Sequence, residues 1–154
     1  MSNTLKIFVR SLQDGHVQKI QEALPCDFLN ICEQELSFSP TLSIQGETYL
    51  ANEHLVIKLE ALLEAHLPCA VCNEIAKIPL HIKDFMHIEP INELPSLIFN
   101  YSALLREAIL LAVPQFTECN GGHCPERRTV ENYLKKPKKI SKEDNFPFSN
   151  LNSY

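Results

Sequence analysis

The sequence predicts an α+β fold in which an antiparallel sheet, able to close into a barrel, packs on one buried helix beside a knuckle-type site of paired cysteines. Three observations lead to this prediction. Apolar and polar residues alternate over residues 55–67 and 76–83, a mostly apolar segment fills residues 102–113, and four of the six cysteines form two close pairs. Alternation with a period of two is typical of a strand with one buried face.

The first part of the chain predicts shorter elements. Alternating apolar residues indicate a strand at residues 5–10. Asp14 could cap a helix that places Val17, Ile20 and Leu24 on one face and ends at Pro25. A strand is then expected at residues 41–45, with a turn at 46–47 into a strand at 48–50.

The strongest strand signal covers residues 55–67. Its composition, rich in leucine, alanine, lysine and glutamate, would also suit a helix, so propensity and pattern disagree. The same alternation returns at residues 76–83 after a short polar turn, and two such runs predict a β-hairpin. We therefore expect strands.

Two helices are predicted in the second half. Residues 102–113 contain only two charged residues, begin at a possible Ser102 cap and end before Pro114, which indicates a helix mostly buried against the sheet. A shorter helix is expected from Pro125 to Lys136, because proline suits the first helical position. We expect one domain over residues 1–136, followed by a basic linker and a short apolar motif at 137–154.

Composition narrows the functional classes. Apolar residues make up 45% of the 154 residues and charged residues 21%, which suits a compact domain. The formal charge of -5 argues against a body that binds nucleic acid over a wide surface, and no DNA partner is expected. The glycine-rich phosphate-binding loops and the serine-hydrolase motif are missing. Without a signal-peptide pattern or a long apolar run, a cytoplasmic protein with no membrane partner is expected.

The paired cysteines have the spacing of metal ligands. Cys69 and Cys72 are separated by two residues, and Cys119 and Cys124 by four. Four thiolates can hold a structural zinc ion in tetrahedral geometry, so zinc is the expected cofactor. A site with His123 in place of Cys119 or Cys124, and ordinary thiols without metal, remain alternatives.

The other uses of cysteine are less favoured. Cys26 and Cys32 lack close pairing and are expected to be small core residues. Structural disulfides are disfavoured because nothing indicates export to an oxidising compartment. A redox thiol is expected at the N-terminus of a helix, whereas Cys69 follows a strand-like run.

An enzyme is the weaker alternative, and no catalytic residue is predicted. His81 and Glu60 could approach each other across the hairpin, but such a pair on a sheet face is usually a surface ion pair. Four cysteine ligands leave no open position on zinc for a catalytic water. The remaining candidates for an active site are dispersed histidines: His54, His66, His87 and His123.

The last 20 residues combine a basic run with an apolar motif. The lysines are the only evident electrostatic contact for RNA, although they would equally suit a solvated linker. The apolar residues could anchor a partner or pack on their own domain. The candidate RNA-binding residues are Lys135, Lys136, Lys138, Lys139 and Lys142, and the candidate partner-binding residues are Phe146, Phe148 and Leu151.

Three features in this order resemble the YceD family, the large ribosomal RNA subunit accumulation proteins of bacteria and plant plastids. They are the Cys69-Ala-Val-Cys72 knuckle after a long strand, the segment 106–114 followed by Cys119 and Cys124, and the tail motif 145–151. The chain departs from the family at Val71, where arginine is common, and at Phe146, which separates Asn145 from the tail proline.

The resemblance implies a non-enzymatic factor that supports synthesis, processing or stability of 23S ribosomal RNA. It transfers no catalytic residues. The expected partner is ribosomal RNA itself or a protein of ribosome assembly or RNA processing, and the acidic body favours a protein. The alternatives are a zinc-stabilised protein adaptor unrelated to RNA and, less favoured, a small metalloenzyme.

Overall fold

The computed structural model describes residues 5–134, which form an α+β fold with antiparallel sheets and few helices. The strands of the main sheet are β2 (Gln18–Pro25), β3 (Ser37–Phe38), β4 (Thr41–Ala51), β5 (His54–Pro68) and β6 (Ile75–Pro90). They lie in the order β2-β4-β5-β6, and β3 extends β4 along the same side of β5.

A long hairpin of β5 and β6 forms the centre of the molecule. The two strands pair from His54 opposite Pro90 to Pro68 opposite Ile75, with one irregularity between Leu59 and Ala61. Every second residue of β5 from Leu55 to Ala65 is buried, which confirms the predicted strand over the helical composition. Burial of one face therefore determines that this segment is a strand. The predicted hairpin is also confirmed, although its second strand, β6, continues to Pro90.

The antiparallel sheet does not close into a barrel, so that part of the prediction is wrong. Within residues 5–134, β2 pairs only with β4, and β6 pairs only with β5, which leaves the two edges of the sheet apart. The strands that could have bridged these edges, β1 (Lys6–Phe8) and β7 (Ile98–Asn100), instead pair with each other in a separate two-stranded sheet.

The helix predicted after Asp14 is also wrong. A 3-10 segment at Val9–Gly15 precedes β2, and β2 occupies the residues assigned to the helix. Ile20 and Leu24 are buried while Val17 is exposed. An even spacing of four residues places two side chains on the same face of a strand as well as of a helix, so this pattern did not distinguish the two.

The turn predicted at residues 46–47 does not exist, because β4 continues through Gly46 to Ala51. Gly46 pairs with Ile20 on one side and Leu59 on the other. A Cβ at this position would lie 2.0 Å from the carbonyl oxygen of Lys58 and 2.8 Å from Cα of Leu59. Glycine is therefore required here by the close approach of the neighbouring strand.

The main helix, α1 (Ser102–Ala112), lies close to its predicted bounds. Ser102 is the first helical residue and not the cap, and its N–H donates to the side-chain oxygen of Asn100. Leu105 and Ile109 are buried, whereas Leu111 is 79% exposed, so the helix buries one face. Arg106 Nε donates to the carbonyl of Leu29, at the end of the 3-10 segment Cys26–Leu29.

The remaining elements are short. A 3-10 turn at Ile91–Glu93 follows β6. The helical turn α2 (Cys119–Gly122) and the helix α3 (Arg127–Glu131) follow α1. The helix expected from Pro125 therefore begins two residues later, and position 136 lies outside the described residues. The buried apolar side chains form one cluster between the inner face of the sheet, the first residues of the chain and α1.

We predict that Gly46→Ala lowers the free energy of unfolding by at least about 2 kcal/mol, because the added methyl group overpacks two backbones. Urea unfolding measures the effect. Ser43→Ala, at an exposed position of the same strand, is the matched control and should change stability little. Equal stability of both variants would contradict the close strand approach.

Candidate metal centre

The first cysteine pair lies at the end of the β5–β6 hairpin. Cys69 N–H donates to the carbonyl of Glu74, and Asn73 N–H donates to the carbonyl of Cys69, with Asn73 in a left-handed conformation. This turn directs backbone N–H groups at the Cys69 sulfur, which accepts from Val71 at 3.4 Å. The predicted knuckle at the hairpin tip is present.

The second pair lies on the turn after α1. Asn120, Gly121 and Gly122 all have positive φ, so the chain curls back between Cys119 and Cys124. The two glycines supply the backbone freedom that this turn requires, and Asn120 is a further left-handed residue. Cys119 N–H donates to the Cys69 sulfur at 3.3 Å, so the two turns are in direct contact.

All four sulfur atoms converge. The Sγ atoms of Cys69, Cys72, Cys119 and Cys124 lie within 4.8 Å of one another. The Sγ atoms of Cys72 and Cys119 are 3.7 Å apart, too far for a disulfide bond, and all six cysteines are unpaired. These four thiols could hold a metal ion, and they belong to turns separated by 46 residues of chain between Cys72 and Cys119.

Contacts outside the sulfur cluster fix the two turns relative to each other. Ala70 N–H donates to the carbonyl of Thr117 at 2.7 Å, joining the knuckle to the segment before Cys119. Arg127 forms a two-point ion pair with Glu118, so its charge is directed to this carboxylate. The pair encloses the second cysteine turn, because Glu118 directly precedes it and Arg127 follows it.

The surroundings divide the thiols by their proton affinity. Backbone N–H groups of Cys72, Cys119 and Val71 stabilise the Cys69 thiolate and lower its pKa to about 6, against the opposing effect of burial. The side-chain hydrogen bond to Cys124 and burial raise the pKa of Cys119 to about 12, and burial raises the pKa of Cys124. A metal cation would favour all the thiolates at once and displace their protons.

Burial also suits a site that holds structure. Cys69 is 2% exposed and Cys124 5% exposed, while Cys72 and Cys119 are partly buried. His123 is exposed and does not belong to the cluster of potential metal ligands, so the geometry does not support histidine as an alternative ligand. Among residues 5–134, the cluster consists of cysteines alone.

The predictions for the other two cysteines, Cys26 and Cys32, differ in outcome. Cys26 packs partly buried against the core, near its expected place. Cys32 is exposed, so its prediction as a core residue is wrong. Cys32 lies in the loop between the 3-10 segment Cys26–Leu29 and β3.

The histidines do not gather at one site. His81 Nε2 lies 3.5 Å from a carboxylate oxygen of Glu60, which confirms their approach, but both side chains are over one-third exposed. His66 pairs with Glu64 and His87 with Glu89, each partner two residues along the same strand, and both pairs measure 2.8 Å.

Two sets of predicted residues cannot be placed in this fold. The candidate RNA-binding and partner-binding residues belong to the last 20 positions, outside the described residues 5–134. They are Lys135, Lys136, Lys138, Lys139, Lys142, Phe146, Phe148 and Leu151.

Comparisons of the chain with protein-family models, with curated proteins and with solved structures found no match. Within residues 5–134, no helix has both the length and the apolar character needed to cross a membrane.

We predict that Cys69→Ser removes bound metal and lowers the melting temperature by about 10 °C or more, because a structural metal site contributes a large part of domain stability. Elemental analysis and thermal unfolding measure the two effects. Cys32→Ser is the matched control, since Cys32 is exposed and lies outside the cluster. Equal metal content in the wild type and both variants would count against a four-cysteine site.

We predict that affinity for added Co²⁺ falls at least about a hundredfold per pH unit below pH 7, because Cys119 and Cys124 hold protons there that the metal must displace. Below pH 6 the fall should steepen, as Cys69 also takes up a proton. Thiolate-to-cobalt absorption, titrated against a competing chelator, measures the affinity. An affinity independent of pH would exclude thiolate ligands.

Proposed function

We propose that this chain is a non-enzymatic factor that supports the synthesis, processing or stability of 23S ribosomal RNA and is stabilised by a structural zinc ion. The observation that carries the proposal is the convergence of four sulfur atoms from two distant turns. The same two cysteine pairs, in the same order, carry the resemblance to the large ribosomal RNA subunit accumulation proteins.

Zinc fits the donor set. Sulfur atoms about 2.3 Å from a central zinc ion form a tetrahedron with edges of about 3.8 Å. The separation of 3.7 Å between the sulfurs of Cys72 and Cys119 matches such an edge. Four soft thiolates select zinc over magnesium or calcium, which prefer oxygen ligands.

A structural role follows from the ligand count. Four cysteine ligands fill the tetrahedral positions, so a zinc ion held by them has no place for a water or substrate. The described histidine–carboxylate pairs lie on the sheet, partly exposed, and separate from the cysteine cluster. These features support a protein that binds and does not catalyse.

The fold brings the first two motifs of the resemblance into contact with each other. The knuckle directly follows β5, and the turn of the second cysteine pair follows α1. The Ala70–Thr117 hydrogen bond joins the knuckle to the segment that leads into this second turn. The first two motifs thus form one structural unit. The third motif, at residues 145–151, lies outside the described part of the chain.

The partner in this proposal is ribosomal RNA or a protein of ribosome assembly or RNA processing. The acidic charge of the chain disfavours wide contact with phosphates and supports a protein partner. A cytoplasmic location is supported by six unpaired cysteines, since cytosolic thiols stay reduced.

A second candidate function is a protein adaptor unrelated to RNA. It is favoured by exposed apolar side chains beside the cysteine turns, where Phe116 is 84% exposed and Ile75 64% exposed. Both residues line the same surface depression, and apolar side chains grouped on an exposed surface commonly mark sites that bind other proteins. The two candidates differ in whether RNA is present in the bound complex.

We predict that depletion of this protein in its native host lowers the ratio of 23S to 16S ribosomal RNA, and that the wild-type chain restores it. Cys69→Ser should fail to restore the ratio, while Cys32→Ser should succeed, because only the first removes a metal ligand. Quantification of total ribosomal RNA measures the ratio. An unchanged ratio after depletion would exclude the ribosomal role.

Affinity purification with and without ribonuclease distinguishes the ribosomal proposal from the adaptor alternative. Recovery of large-subunit precursors or assembly proteins supports the proposal, and a ribonuclease-resistant set indicates direct protein contact. Recovery of proteins unconnected with RNA in both conditions would favour the second candidate.

A further inference from the structure

A groove of about 700 Å³ runs beside the cysteine knuckle, and we name it the knuckle groove. One wall is formed by the hairpin tip at residues 67–73, and the other by the end of α1 and the segment up to Thr117. Its third side is the loop between Cys26–Leu29 and β3. The side chains used below are Glu33, Glu35, Leu36, Val71, Leu110 and Phe116.

The groove combines an apolar lining with acidic charge. Leu36, Val71 and Leu110 are only partly buried, and Phe116 is 84% exposed. Glu33 and Glu35 are exposed and are the charged residues of the lining, which contains no lysine, arginine or histidine. A segment that fits this groove therefore carries apolar side chains next to positive charges.

We propose that the knuckle groove binds the C-terminal segment of the same chain, residues 135–154. In this arrangement Phe146 and Phe148 contact the apolar lining, and the preceding lysines face Glu33 and Glu35. The segment has a suitable composition, because five lysines in residues 135–142 against the two acidic residues Glu143 and Asp144 give it a net charge of +3, and two phenylalanines and a leucine follow within residues 146–151. The inference goes beyond the role in ribosomal RNA accumulation and does not depend on it.

Chain length permits this contact. The knuckle contributes Cys69 to both the groove and the sulfur cluster, and Cys124 belongs to the same cluster. Leu134 follows Cys124 by only ten residues, five of which form α3. The 12 residues from 135 to 146 can span about 40 Å when extended. Phe146 can therefore reach the groove without rearrangement of the described fold.

Because the C-terminal segment is covalently connected to the groove, it is favoured over a separate molecule as the occupant. A segment tethered close to its site has an effective concentration in the millimolar range, so a modest affinity keeps the site filled. A partner protein or a second copy must exceed this concentration to displace it. The segment would thereby cover Phe116 and keep the lysines near the acidic rim.

Photo-cross-linking in the full chain tests the proposal. Phe116 is replaced by p-benzoylphenylalanine, the protein is irradiated as a monomer, and cross-linked peptides are mapped by mass spectrometry. The expected result is an intramolecular cross-link to residues 135–154. The reciprocal label at Phe146 should mark the groove, at residues 67–73 or 110–117.

The matched control carries the label at Met86, which is 56% exposed and lies on β6, 13 residues after Asn73, the last residue of the hairpin tip. It should give no cross-link to the C-terminal segment. Metal content and circular dichroism equal to those of the wild type establish that each labelled protein is folded.

Charge reversal supplies a second readout. Glu33→Lys combined with Glu35→Lys should reduce the cross-link yield about fivefold, as expected for exposed charge pairs. Adding Lys138→Glu and Lys139→Glu should restore part of the yield. Intermolecular cross-links would indicate a second copy as occupant and overturn the proposal. No cross-link to residues 135–154 from either label would also overturn it.

Discussion

The contact between two cysteine turns is the constraint on which this end of the molecule depends. One turn closes the longest hairpin of the fold, and the other follows the only α-helix of more than five residues in residues 5–134. Four sulfurs within 4.8 Å would repel one another if all became thiolates, and Cys119 and Cys124 have raised pKa values that keep their protons at neutral pH in the absence of a cation. A cation would convert this repulsion into attraction, so binding of a metal would strengthen the contact that already joins the hairpin to the segment after the helix.

The sequence was most informative where a single physical requirement dominates. The alternation over residues 55–67 predicted a strand because one face of β5 is buried throughout, and this burial outweighed a helix-forming composition. Ligand chemistry predicted the cysteine cluster for a similar reason. Two thiols on one turn need a second pair to complete tetrahedral coordination, whatever the length of chain between them.

The wrong predictions concern contacts between segments that are distant in sequence. Gly46 was assigned to a turn because glycine is common in turns, whereas the structure needs it for close approach to Lys58 and Leu59. The spacing of Ile20 and Leu24 suited a helix and a strand equally, and pairing of β2 with β4 determined the outcome. Closure of the sheet depended on edge pairing, which has no local signature. Patterns within one segment therefore report which face is buried better than they report which strands are neighbours.

The most direct measurement of the central claim is X-ray absorption at the zinc edge of protein purified without chelators. The account predicts one zinc ion per chain with four sulfur neighbours at about 2.3 Å and no nitrogen or oxygen in the first coordination sphere. Protein without zinc, or a zinc ion with nitrogen or oxygen ligands in place of one of the four cysteines, would contradict it.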